Sequence, residues 1–339
     1  MNYSKILNEF KKKKILVIGD LILDHYIWGK VSRISPEAPV PIVEVTDENF
    51  FLGGACNVAN NIASLGGQTS VIGVVGSDRT GEIVIKMLKE KAIECSGVIY
   101  NEKPTTVKTR VIAHNQQVVR FDREDRQKIE EEVFRILADD IRKQMLRCDA
   151  IIISDYKKGV ISRRLITEVL RYSKPKKMFV AVDPKVGHFH FYKSVSLITP
   201  NINEASATSG IDINDERSLI RAGKSLLKKI SCEAVLLTRG EHGMSLFRGN
   251  KVVNIPTVAR NVYDVTGAGD TVIAAFTIAH ASGASMEEAA VIANHAAGIV
   301  VGEIGTAVVT LDQLHKSLRL NRGKSNTNII TKFRAPIIK

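Results

Sequence analysis

The sequence predicts an α/β fold of three layers, with helices packed on both faces of a mostly parallel sheet. Three observations carry that expectation. Short apolar runs rich in β-branched residues, such as Lys14–Asp20 (KILVIGD) and Ala150–Ser154, stop at Gly, Ser or Asp as buried parallel strands do. These runs alternate with longer helical patterns along most of the chain. Residues able to do chemistry gather just after the runs, where open α/β sheets place their ligands.

Taken in order, strand Lys14–Asp20 puts Asp20 and Asp24 at a carboxyl end. The stretch Arg33–Val45 carries three prolines, which suit an edge strand or a lid rather than a central strand. Gly53-Gly54 leads into a helix over Ala55–Leu65, followed by a strand at Gln68–Val75 and a helix at Thr80–Ala92. Thr105–Val111 and Val118–Arg123 alternate polar and apolar residues around His114-Asn115-Gln116-Gln117. With the proline-rich segment they are expected to make a small sheet standing off the core. Helix Gln127–Arg147 then leads to strand Ala150–Ser154, helix Ser162–Tyr172 to strand Met178–Val182, and a short strand follows at Val195–Thr199. Helix Glu216–Ile230 precedes strand Ala234–Thr238 and a hairpin over Met244–Ile255. Helices at Val272–Ala281, Met286–Val301 and about Leu311–Leu320 close the pattern. The basic, polar stretch Asn321–Lys339 is expected to be partly disordered.

Composition narrows the function. At 339 residues, 44% hydrophobic and 25% charged, the chain can bury a full core as one large domain or as one domain plus a small accessory piece. It has no apolar run of membrane-spanning length, and the start MNYSKILNEFKKKK lacks the apolar core of a secretory signal. Four cysteines without C-x-x-C spacing fit reduced thiols in the cytoplasm. The net charge of +12 comes with only 6% aromatics and dispersed lysines, so polyanionic small substrates are expected rather than nucleic acid.

The most informative stretch is Asp264-Val265-Thr266-Gly267-Ala268-Gly269-Asp270-Thr271, which runs straight into an apolar helix. A glycine turn heading a helix aims backbone N–H groups and the positive end of the helix dipole at one point, where phosphate oxygens are attracted. Asp270 beside that point suits a general base that takes the proton of a substrate hydroxyl during phosphoryl transfer; the plainer alternative is an ordinary helix cap. No G-x-x-x-x-G-K-S/T loop is present.

Other strand ends add candidates. Gly53, Gly54 and Asn57 can receive a polyol, or form a turn with a capping asparagine. Asn201 and Glu204 can hold a hydrated Mg²⁺ and nucleotide phosphates, or form a capping box. Ser154–Gly159, Asp183-Pro184-Lys185 and Thr238–Gly243 complete the set. His188 and His190 alternate in GHFHFY without an evident third metal ligand, and His295 reads as a packing or nucleotide-pocket residue.

With these residues in place, the chain resembles the ribokinase-like (PfkB) carbohydrate kinases over about residues 14–315. DVTGAGDT looks like their C-terminal signature, with Asp270 as base and Gly267, Ala268 and Gly269 as anion hole. Gly53, Gly54 and Asn57 match their N-terminal sugar motif, and Asn201 with Glu204 their N-x-x-E motif. A narrower resemblance, over GDLILDHYIWGKVSRISPEAPVPIVEV, TRVIAHNQQVVRFDRE, SDYKKGVI, VDPK, ITPNINE, LLTRGEHGMSL and GIVVGEIGTAVVT, is to the D-glycero-β-D-manno-heptose-7-phosphate kinases. His25 departs from them, since an arginine is commoner there.

The resemblance implies a three-layer α/β/α ribokinase-like core over residues 1–320, with a β-sheet lid from about 24–52 and 104–123. It implies ATP-dependent phosphorylation of the heptose at O1, giving heptose 1,7-bisphosphate in ADP-heptose synthesis for the lipopolysaccharide core. ATP, Mg²⁺ through Asn201 and Glu204, and a monovalent cation such as K⁺ near Asp264 and Thr266 go with it. Nucleotide contacts are expected at Asn201, Ile202, Asn203, Glu204, Thr238, Gly240, Gly243, Asp264 and Asn294. Substrate contacts are expected at Asp20, Asp24, Gly53, Gly54 and Asn57, with Arg110, Arg120 and Lys185 for the 7-phosphate. A homodimer through the lid is implied. No H-x-G-H-type motif follows residue 320, so no nucleotidyltransferase domain is expected, and adenylyl transfer should fall to a separate protein. The rival readings are a kinase for another sugar phosphate or nucleoside, and a non-catalytic nucleic-acid-binding or regulatory protein on the same scaffold.

Overall fold

The computed structural model describes residues 3–114, 116–259, 262–303, 305–320 and 331–334. Helix α1 (Tyr3–Glu9) leads to strand β1 (Lys14–Gly19), and the chain then leaves the main sheet through Asp20 for two long strands, β2 (Leu21–Ile34) and β3 (Pro41–Gly54). There follow α2 (Ala55–Ser64), β4 (Gln68–Gly76), α3 (Arg79–Glu90), β5 (Glu94–Asn101), β6 (Thr106–Ala113) and β7 (Gln116–Arg123). The next run is α4 (Glu131–Gln144), β8 (Ala150–Ser154), α5 (Arg163–Ser173), β9 (Phe179–Asp183), β10 (Leu197–Ile198), α6 (Ile202–Ser209) and α7 (Glu216–Ile230). Last come β11 (Ala234–Thr238), β12 (Met244–Arg248), β13 (Lys251–Ile255), α8 (Ala268–Ala281), α9 (Met286–Val300), α10 (Leu311–Leu320) and β14 (Thr331–Arg334).

Ten strands form the main sheet in the order β14-β13-β12-β11-β10-β9-β8-β1-β4-β5. It is parallel from β11 to β5 and antiparallel across β11 to β14. Strand alternation splits its side chains between two cores. Ile15, Val17 and Ile152 pack with α2, α8, α9 and α10 on one face. Leu16, Ile18, Ile151 and Ile153 pack with α4, α5 and α7 on the other. The three layers expected from the sequence are therefore present.

A second sheet, in the order β3-β2-β6-β7, stands at the carboxyl edge of the first. It is longer than the sequence suggested: β2 and β3 pair over nearly their whole length, from Leu21↔Gly54 to Ile34↔Pro41. Gly53 and Gly54 are thus the end of a strand rather than a free turn, and β5 was not anticipated. The tail expected to be partly disordered supplies β14, which pairs with β13 through Asn254↔Thr331; the rest of Asn321–Lys339 lies outside the described residues. Among the described residues all four cysteines are free, and no helix is long and apolar enough to cross a membrane.

Candidate active site

The site is built where β1, β8, β9, β10 and β11 all end on one edge. Helix α8 points its N-terminus there, and every residue from Asp270 to Ala279 is buried. Gly267 is its N-cap at φ +79°, and a Cβ at that position would come within 2.8 Å of the Asn57 Nδ2. Only glycine satisfies both demands.

Asp270, 3% exposed, is oriented from both sides. The Asn57 Nδ2 donates to its Oδ2 at 2.8 Å, and the Tyr156 hydroxyl donates to its Oδ1 at 2.8 Å. Burial pushes Asp270 up to about 6, against the two donors, which favour the ionised form. A base near neutrality can both exist as carboxylate and accept a proton usefully. The same helix is tied to α2 a second time: Thr271 donates to the Asn61 Oδ1 at 2.9 Å, while the Asn61 amide donates to the Asn57 carbonyl at 2.9 Å. Asn57 is thereby a side chain of the site and not a cap.

Tyr156 reaches Asp270 because its loop is suspended from two buried carboxylates. Asp20 accepts from the backbone N–H groups of Tyr156 (2.8 Å), Lys158 (3.0 Å) and Val160 (3.2 Å). Asp155 accepts from the Lys157 N–H (2.8 Å), the Tyr192 hydroxyl (2.5 Å) and the His188 Nδ1 (2.7 Å). The sequence reading gave Asp20 to the sugar; in the structure both its oxygens accept backbone N–H groups of this loop. Burial and the neighbouring Asp155 charge push Asp20 up to about 6. Asp24, Gly53 and Gly54 also serve internal contacts. Asp24 pairs with Arg110 at 2.7 Å, and a side chain at Gly53 would meet the Asp24 Oδ2 at 2.6 Å.

The match that decides the family covers residues 12–313, which fit the model of the pfkB family carbohydrate kinases. The chain belongs to that family. It is 46% identical over 316 residues to the bifunctional protein HldE of Geobacter sulfurreducens, covering 93% of this chain and 64% of that protein. It is 43% identical over 329 residues to the bifunctional protein HldE of Wolinella succinogenes, covering 96% of this chain and 69% of that protein. The chain thus spans 64% of the length of the Geobacter relative. Among solved structures, Arabidopsis thaliana ribokinase complexed with ribose and ATP superposes with a TM-score of 0.73 at 21% identity, over 91% of this chain and 99% of that one. Escherichia coli phosphofructokinase-2 in complex with potassium gives 0.77 at 20% identity, over 91% and 100%. These two likenesses bear on the fold.

The kinase places its other candidates as follows. Ala268 spends its N–H on the Val265 carbonyl (3.2 Å), so an anion hole falls to the amides of Gly269 and Asp270; nothing lies within 4 Å of where a Gly269 Cβ would be. Asn201 and Glu204 form a capping box at the head of α6. Ile202 and Asn203 open that helix, and Thr238 bridges to Asn201. Glu204 also faces Lys185 at 3.6 Å. Asp183, which the sequence reading left without a role, is pushed well above the usual carboxylate range by burial and by the Asp270 and Glu204 charges. Gly243 shapes the β11–β12 connection, where a Cβ would strike the Ile255 carbonyl at 2.1 Å, whereas Gly240 faces open space.

Asn294 donates to the Pro256 carbonyl at 2.8 Å, anchoring the segment after β13. The Asp264 carboxylate accepts from the N–H groups of Thr266 (2.8 Å) and Gly305 (3.1 Å). Arg120 is held by both oxygens of Asp122, at 2.9 and 2.6 Å. His295 bonds the Ser317 hydroxyl between α9 and α10, and burial takes it down to about 4, which fits packing. His25 bonds Glu48 and stacks on Phe50. His188 belongs to the Asp155 network rather than to a metal.

Sequence reasoning gave no role to Tyr156, Asn61, Asp155 or Lys108. Tyr156 and Asp155 did stand in a cluster at a strand end. Lys108 shares a strand face with Arg110, and that two-residue spacing was the available signal.

Proposed function

We propose that this kinase transfers the γ-phosphate of ATP to O1 of D-glycero-β-D-manno-heptose 7-phosphate, giving heptose 1,7-bisphosphate for ADP-heptose and lipopolysaccharide core synthesis in the cytoplasm. The observation that carries the chemistry is Asp270, buried at the head of α8 with both oxygens oriented by Asn57 and Tyr156. The sugar assignment is supported by the seven matching segments and by 43–47% identity to several HldE proteins.

In this reading Asp270 holds the O1 hydroxyl in line and accepts its proton as the oxygen attacks phosphorus. The Gly269 and Asp270 amides meet the charge spreading on the transferred group. Burial, and beside it the Asp270 and Glu204 charges, raises Asp183 well above the usual carboxylate range, and a hydrated divalent cation nearby would offset that charge, although among the described residues no three such ligands are grouped to hold a bare ion. Asn201 and Glu204 would hold Mg²⁺ through its waters, and the ion would neutralise phosphate charge. A monovalent cation would lie by Asp264 and Thr266.

The small sheet acts as the lid. Its exposed Val45, Phe50, Val118, Val119 and Phe121 support a homodimer formed through it.

The test is transfer from Mg-ATP to a panel of heptose 7-phosphate anomers, hexose phosphates and nucleosides, with Asp270→Asn as control. Selective, Asp270-dependent 1-phosphorylation of the β-heptose is expected. Turnover confined to other acceptors would discard the heptose assignment.

A further inference from the structure

The proposed acceptor is an anion, and the kinase must receive its phosphate somewhere. The cations expected for that task are already engaged. Arg110 pairs with Asp24, Arg120 with Asp122, Lys185 with Glu204, and the neighbouring Lys158 with Glu124. Lys108 differs. Strand register sets it opposite Asp24 on β2 and opposite Asp122 on β7, yet each of those carboxylates turns to an arginine instead. Among the described residues Lys108 has no carboxylate at ion-pair distance. It is half-buried, and its ammonium lies 4.7 Å from the centroid of the Tyr156 ring.

We propose that Lys108 selects an acceptor carrying a phosphate, its ammonium binding that group at the end of the sugar remote from the hydroxyl held at Asp270. The placement supports this. Tyr156 carries Lys108 over its ring and donates its hydroxyl to Asp270, so cation and base flank a single aromatic side chain. A sugar phosphate lying along that ring would present its hydroxyl to one and its phosphate to the other. Charge supports it as well. Burial lowers the Lys108 pKa, and the Arg120, Lys158 and Arg110 charges lower it further, against Asp24. An incoming phosphate relieves that repulsion and gives the ammonium the charge-assisted bonds it lacks. The two arginines beside it are already paired with their own carboxylates, Asp24 and Asp122.

The inference rests on the proposed function in one respect, that the acceptor is a sugar phosphate. The experiment compares wild type, Lys108→Met and Lys108→Arg with Mg-ATP and two acceptors, heptose 7-phosphate and the same heptose without its phosphate. Wild type should prefer the phosphorylated sugar. Lys108→Met should lose roughly 10- to 150-fold in kcat/KM for it, chiefly through KM, and the preference should collapse by the same factor. Lys108→Arg should retain most of the preference, which a purely structural lysine would not require. If wild type prefers the phosphorylated sugar and Lys108→Met keeps that preference, the Lys108 assignment is overturned while the function stands. An equal loss on both acceptors with a lowered Tm also overturns it, in favour of a structural role. If wild type shows no preference for any phosphorylated acceptor, the proposed function falls first and the inference with it.

Discussion

Asp270→Asn should stabilise the folded protein while abolishing most turnover, and the stability gain should grow with pH. The carboxyl goes from the ordinary 3.8 to about 6 on folding. That is about two pH units, or roughly 3 kcal/mol of penalty on the ionised, folded form. Because the folded value is raised, the contribution to stability is fully present below the unfolded value and is lost as pH rises through about 6. Roughly half of the loss accrues between pH 5 and pH 8. The asparagine has no proton to lose and escapes it. Rearranged hydrogen bonds to Asn57 and Tyr156 add an offset that does not vary with pH, so the slope is diagnostic. Asp183 acts in the same direction, since its own displacement owes part to Asp270. Urea unfolding of both proteins at pH 5, 6, 7 and 8 measures the slope. Curves that stay parallel would refute the picture of a buried base held near neutrality at a cost in stability.

Other consequences follow from the same geometry. Tyr156→Phe removes a donor to the Asp270 carboxylate and should raise the acid limb of the kcat/KM–pH profile by about one unit or more; an unmoved limb would show that the hydroxyl does not tune the base. Glu204→Gln can preserve the capping box, so stability should change by less than about 0.5 kcal/mol. The Mg²⁺ concentration for half-maximal rate should nevertheless rise roughly ten-fold, and an unchanged requirement would leave Glu204 a cap only. Arg110→Met strands the buried Asp24 carboxylate and should cost about 3 kcal/mol in chemical unfolding. Adding Asp24→Asn should recover part of that, and full additivity of the two losses would contradict the pairing.

The alternation that gave the fold was legible because strands buried on both faces must be apolar throughout. KILVIG, AIIIS and AVLLT announce themselves without their neighbours. The long strands β2 and β3 did not. Most of their outer residues are exposed and polar, and β2 begins one residue after β1 with no turn signal beyond Gly19-Asp20. Pairing between distant segments decided them. Asp270 was legible for the same local reason as the strands, since a carboxylate opening an apolar helix after a glycine turn is conspicuous in isolation. Its partners were not, because Asn57 and Tyr156 lie 213 and 114 residues away in sequence. Residue type alone also did not show what Asp20 holds in the fold. An aspartate after a parallel strand can face a ligand or a loop, and only the positions of three amides distinguish the two.

That loop shows how the site divides its labour. Orientation of the base could have been left to α8, whose backbone fixes where the Asp270 side chain begins. The protein instead sends the signal through β1 and β8. Asp20, at the end of β1, holds the amides of residues 156, 158 and 160, and Asp155, at the end of β8, holds that of residue 157. Two buried carboxylates thus take up four N–H groups of a loop that would otherwise leave them unpaired. The return is that the Tyr156 hydroxyl arrives at a fixed place, and with it the aromatic face under Lys108. A phosphate drawn to Lys108 and a hydroxyl presented to Asp270 are then registered against the same side chain. On the proposed function, an acceptor of the wrong length would meet one of these groups but not both, so selection and proton abstraction would both depend on where Tyr156 is held.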